Sequence, residues 1–118
     1  MKKLIITIDG PAGSGKERIA KYISRILKLK HLDSGIIYRK IALIFLVENI
    51  DIQNIYKIEK KLQEIKEISL RNTKKIRTEA ISKIASKIAV YNSVRSFVNK
   101  LQYNFVKKNK KIRGFVID

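Results

Sequence analysis

The 118-residue chain has no cysteine and no tryptophan, one proline and five glycines. Without cysteine there is no disulfide framework and no thiolate metal site, so a reducing, cytoplasmic setting is expected. The single proline, Pro11, falls inside a glycine-rich stretch, which leaves the rest of the chain without that strong breaker of helices and sheets. No apolar run reaches the roughly 18 residues of a membrane-spanning helix, so no membrane partner is expected. The few apolar residues after Met1-Lys2-Lys3 are too short for a secretory leader. Acidic residues are also scarce, 10 against 27 Lys and Arg, for a net charge of +17.

What is present suits a globular protein. Apolar residues make up 45% of the chain, enough for a single core, and residues 1–118 read as one domain. The charge invites a nucleic-acid reading. However, 20 lysines and 22 isoleucines against seven arginines point to a general compositional bias, and only Lys107, Lys108, Lys110 and Lys111 cluster densely. Weak, salt-sensitive binding to polyanions is expected, but no specific nucleic-acid partner.

Hydrophobic patterning predicts alternating strands and helices. Residues 3–8 read as a buried parallel strand. From Glu17 a helix carries Ile19, Ile23, Ile26 and Leu27 on one face. Lys30 to Leu32 is a short extended piece, and Asp33-Ser34-Gly35 is a turn that opens a largely buried helix through Val47. Asn54 is the expected N-cap of a helix running to about Ile68, and Thr78-Glu79 opens another. Tyr91-Asn92-Ser93 breaks that helix before a long last one, marked by Val94, Phe97, Val98, Leu101 and Phe105. Gly114 turns the chain into a second core strand ending on Asp118. The expected fold is therefore α/β, a parallel sheet with flanking helices.

The chemistry concentrates in Gly10-Pro11-Ala12-Gly13-Ser14-Gly15-Lys16, between the first strand and the first helix. Glycines permit positive φ angles, so the backbone can close around an anion with the amides from Ala12 to Lys16 turned inward. The helix N-terminus adds roughly half a positive charge behind them. Lys16 is the expected catalytic cation on the β- and γ-phosphates of ATP. Glu17 and Arg18 follow, where such loops carry Ser or Thr to hold Mg2+. Mg2+ is expected to come with ATP, and no protein metal ligand is assigned. At about 4 Å a carboxylate and a phosphate charge repel by about 1–4 kcal/mol, so Glu17 predicts weaker binding and impaired catalysis.

Two further segments carry a family resemblance. Leu32-Asp33-Ser34-Gly35-Ile36-Ile37-Tyr38-Arg39 resembles the LDSG-x-x-YR segment of bacterial cytidylate kinases. Residues 76–86, beginning Ile76-Arg77-Thr78, resemble their IRT segment, and Ile8 to Lys16 match their phosphate loop. Val116-Ile117-Asp118 is similar to the start of their DGRD segment. The resemblance implies a P-loop kinase-like fold that transfers the γ-phosphoryl of ATP to CMP or dCMP. By the same resemblance Gly10, Pro11, Ala12, Gly13, Ser14, Gly15, Lys16, Glu17 and Arg18 line the ATP phosphates. Ser34, Tyr38, Arg39 and Arg77 hold the monophosphate nucleotide.

Residues 40–76 are too short for the family's strand-rich arm over CMP and read instead as a shortened helical region. The chain is expected to be the N-terminal part of such an enzyme, monomeric when complete and prone to associate when truncated. A catalytically inactive remnant that retains weak nucleotide binding is the competing expectation. His31, with no carboxylate partner evident in the sequence, reads as structural.

Overall fold

The structure is a computed structural model that describes residues 3–11, 13–109 and 111–118. Of the residues named above, Met1, Lys2, Ala12 and Lys110 lie outside that set. The described elements run β1 (Leu4–Thr7), α1 (Lys16–Leu27), β2 (Lys30–Leu32), α2 (Ser34–Val47) and α3 (Ile55–Glu64). A 3-10 turn (Lys74–Ile76), α4 (Glu79–Ile88), α5 (Asn92–Lys108) and β3 (Gly114–Ile117) complete them. The three strands form one parallel sheet in the order β1-β3-β2. The chain divides into two compact units, residues 1–34 with 101–118, and residues 35–100.

The first unit holds the sheet. The last strand in sequence takes the centre, where β3 pairs with β1 (Leu4 opposite Gly114) and with β2 (Lys30 opposite Phe115). Phe115 and Val116 are accordingly fully buried. Phe115 meets the Phe105 ring edge-on at 5.9 Å, a contact worth about 0.5–1.5 kcal/mol beyond the area it buries. Lys3 ties the starts of the two strands together. Its Nζ donates to the carbonyls of Asn109 and Ile112 and lies 5.7 Å from the Phe115 ring centre.

Two expectations need correction here. Periodicity predicts β1 as a buried strand, yet it is an edge strand, with Leu4 and Ile5 about half exposed. Only Ile6 and Ile8 pack inward, against Ala20, Leu29 and Val116. The inner face of α1 also differs from the predicted one. Ala20 is fully buried with Ile23 beside it, whereas Ile19 and Ile26 lie more than half exposed. An apolar stripe bounds the inward direction of a helix but does not fix it. A small residue, Ala20, is what allows close approach to the sheet.

The second unit is helical. α2 buries Ile37, Ile41, Ala42 and Phe45, although Leu46 and Val47 at its end are exposed. The Asn54 side chain caps α3 by accepting from the Tyr56 and Lys57 amides at 3.1 and 3.3 Å, as its residue type predicts. α3 stops at Glu64 rather than near Ile68, because Ile65 is already extended. Thr78 caps α4 through the Ile81 amide at 3.2 Å. Residues 40–76 contain helix, a 3-10 turn and irregular chain, with no strand.

Candidate functional site

The loop after β1 is shaped by glycine. Gly13 and Gly15 hold φ angles of 80° and 88°, in the left-handed region that other residues enter only at a cost. Gly15 is also the N-cap of α1 and leaves the helix start without a side-chain cap. The first-turn amides of an α-helix have no intrahelical acceptor, so here they face outward next to Lys16. One amide departs from expectation. The Ser14 N–H donates to the Pro11 carbonyl at 3.2 Å, closing the loop's own turn instead of pointing to a ligand. Gly10 sits close beneath it, since a Cβ there would come within 2.8 Å of the Ser14 hydroxyl.

Glu17 lies in the first turn of α1, where a carboxylate suits the helix dipole. Its Oε1 is 3.1 Å from the Lys21 ammonium, and both side chains are more than half exposed. Arg18 is exposed beside it.

Parallel pairing brings the ends of all three strands to one edge, the side on which open α/β sheets bind ligands. The Ile8 amide reaches the Ile117 carbonyl at 2.9 Å, so the glycine loop and Asp118 leave the same edge. Asp118 is buried, and its backbone is held by the Leu32 carbonyl and the Ser34 amide at 3.0 and 2.9 Å. Its Oδ1 lies 3.1 Å from His31 Nε2. His31 therefore does have a carboxylate partner, 87 residues away in sequence, contrary to the sequence reading. Ser34 opens α2 at this edge, and its hydroxyl accepts from the Gln102 side-chain amide at 2.6 Å.

Gln102 fits the family's last helix by resemblance, but the sequence does not reveal its bond to Ser34. It is the one polar member of the buried series Val94, Val98, Gln102, Val106 on α5. Because the amide donates, the Ser34 proton is left to point elsewhere. Gln102→Leu should lower the unfolding free energy by about 1 kcal/mol, read as a lower urea midpoint at unchanged slope.

Tyr38, Arg39 and Arg77 belong to the second unit, while the loop and Ser34 belong to the first. Tyr38 and Arg39 are partly buried on α2. Burial pushes the Tyr38 hydroxyl above its usual pKa, against an opposing pull from Arg95, so at neutral pH it remains an O–H donor. Arg77 is exposed just after the 3-10 turn, and its Nε donates to Asn72 Oδ1 at 2.8 Å.

A strand, a glycine turn with left-handed backbone, and a lysine opening an uncapped helix on a parallel sheet define a P-loop kinase-like α/β protein. The cytidylate kinase family model matches residues 6–114, and the chain belongs to that family. It is 36% identical to the cytidylate kinase of Mycoplasmopsis agalactiae over 98% of this chain and 56% of that one. It is 35% identical to the cytidylate kinase of Fusobacterium nucleatum, covering 95% and 55%. A bifunctional pantoate ligase/cytidylate kinase of Prochlorococcus marinus is 42% identical over 82% of this chain and 22% of the relative. The chain thus spans about half the length of the cytidylate kinases and about a fifth of the bifunctional protein.

Kinases of this family generally use Mg2+ with ATP. Position 17 carries a carboxylate bridged to Lys21. No group of three or more His, Cys, Asp or Glu able to hold a metal ion occurs among the described residues. Among those residues no helix is long and apolar enough to cross a membrane.

Proposed function

We propose that this chain seats the phosphates of ATP on residues 10–18 and serves transfer of the γ-phosphoryl to CMP or dCMP, giving CDP or dCDP. A phosphate oxygen of the acceptor forms the new bond to the γ-phosphorus, the bond to the β-phosphate oxygen breaks, and ADP leaves. The observation that carries this reading is the uncapped α1 start behind the left-handed Gly13 and Gly15, beside Lys16 at the ligand-binding edge of the sheet. Such transfer needs positioning and charge neutralisation more than covalent help from the protein. Lys16 supplies the cation at the β- and γ-phosphates. Arg39 and Arg77 offer planar forks to the acceptor phosphate. Ser34 and Tyr38 offer hydroxyl donors, and residues 40–76, helical in part, are assigned to the acceptor. Cytidylate kinases among the relatives support the choice of acceptor. A cytoplasmic setting, where ATP and CMP are at hand, fits this reading.

Coupled measurement of ADP release with CMP, dCMP, UMP or no acceptor tests the proposal. CMP-dependent release is expected, and release indifferent to the acceptor would overturn it. The Glu17 carboxylate favours a second reading, nucleotide binding with little transfer, which would show as heat on ATP addition without CMP-dependent ADP release. Restoring hydroxyls with Glu17→Ser and Arg18→Thr should raise turnover by about tenfold or more, the scale of relieving a repulsion of about 1–4 kcal/mol at the phosphates. Equal rates before and after would show that Glu17 does not impair the chemistry.

A further inference from the structure

We infer that Lys21 is a positioning residue that draws the Glu17 carboxylate along α1, away from the loop amides, and so preserves the anion seat. The inference rests on the loop reading above and adds to it a residue that lies outside the glycine motif.

Three observations carry it. The Glu17 and Lys21 side chains meet at 3.1 Å across one helical turn, with the acid on the N-terminal side, which is the better orientation for such a pair. Lys21 is one turn further from the loop than Glu17, so the pairing pulls the carboxylate down the helix rather than over its start. Glu17 also shares an open surface groove of about 560 Å³ with Arg18, Lys21, Tyr22 and Arg25. Arg25 is held in that groove, its guanidinium 6.0 Å from the centre of the Tyr22 ring. Of the three cations lining the groove, Lys21 is the one that meets the Glu17 carboxylate.

As a contribution to stability the pair is minor, since exposed helix pairs contribute only about 0.2–0.5 kcal/mol. Its consequence is electrostatic. A carboxylate swung towards the loop would oppose the polyphosphate at close range, where charges are least screened. Lys21 lowers the population of that swing by up to about twofold. A helix can therefore carry an acidic residue after the loop lysine and still present a net positive potential to an anion.

A double-mutant cycle on the 118-residue chain tests this, with ATP affinity measured by calorimetry at low salt. Lys21→Ala should weaken binding by up to about twofold, the full worth of such a pair, and Lys21→Arg, which can pair in the same way, should stay at the parent affinity. In a Glu17→Gln background the Lys21→Ala loss should vanish, because no carboxylate remains to be held. Melting temperatures should agree across the set, which separates the effect from a structural one. An equal loss in both backgrounds would show Lys21 acting on the phosphates directly and would overturn the inference, as would no loss in either. Absence of ATP binding in every folded variant, including Glu17→Ser with Arg18→Thr, would instead remove the loop reading on which the inference rests.

Discussion

Lys16→Met should lower ATP affinity by about a hundredfold while leaving the melting temperature within about 2 °C of the parent chain. The side chain stands at the first position of α1, directly after Gly15, and is partly exposed. Methionine keeps its length and helix propensity, so the helix start survives and only the charge is lost. One ammonium about 4 Å from one phosphate charge is worth about 1–4 kcal/mol between the dielectric of water and that of a protein surface. A triphosphate carries several such charges, so the middle of that range, close to a hundredfold, is the expected loss. Because the interaction is ionic, the gap between parent and variant should narrow as salt is raised. Calorimetry with ATP and ADP in low and moderate salt reads both effects. An affinity unchanged by the substitution would place the nucleotide elsewhere.

Gly114→Ala should destabilise the chain by about 3 kcal/mol, lowering the melting temperature by roughly 10 °C. Gly114 lies opposite Leu4 at the start of the β1–β3 pairing. A Cβ there would come within 2.2 Å of the Leu4 carbonyl oxygen and 3.0 Å of Leu29 Cδ2. The first contact is with backbone, which cannot rotate away, so relief requires β1 to move off the central strand. β1 leads directly into the glycine loop, and that shift should also reduce ATP affinity. Thermal unfolding followed by far-UV circular dichroism is the direct check. A loss of less than about 2 °C would mean that the edge strand is held far more loosely than its hydrogen bonds indicate.

Much of the local structure was legible in the sequence because short-range chemistry decides it. Asn54 and Thr78 cap helices because their side chains reach amides two or three residues ahead, whatever the rest of the chain does. Lys30 to Leu32 reads as extended and is β2, and the core strand read from Phe115 to Asp118 is β3, one residue earlier at each end. The candidate site was legible in part. The loop motif announces its left-handed glycines, and the cytidylate kinase resemblance in three segments agrees with the family match. It did not reveal that the Ser14 amide turns back to Pro11, nor that α3 ends at Glu64. Periodicity marked an apolar stripe on α1 but not which part of it would be covered, because coverage depends on where the sheet lies. The same limit explains β1, whose composition suits a buried strand although only one neighbour pairs with it.

By itself, then, the sequence determined a glycine turn between strand and helix, the ends of two helices, the strand that became the sheet's centre, and the cytidylate kinase resemblance. These follow from backbone freedom, capping and hydrophobic run length, all of which act over a few residues. Only the tertiary structure decided that His31 meets Asp118, that Gln102 holds the Ser34 hydroxyl, and that Ala20 rather than Ile19 faces the sheet. Those partners lie 87 and 68 residues apart, and parallel pairing through a central last strand brings them to one edge. No local rule specifies such a meeting, because it depends on the order in which distant strands join.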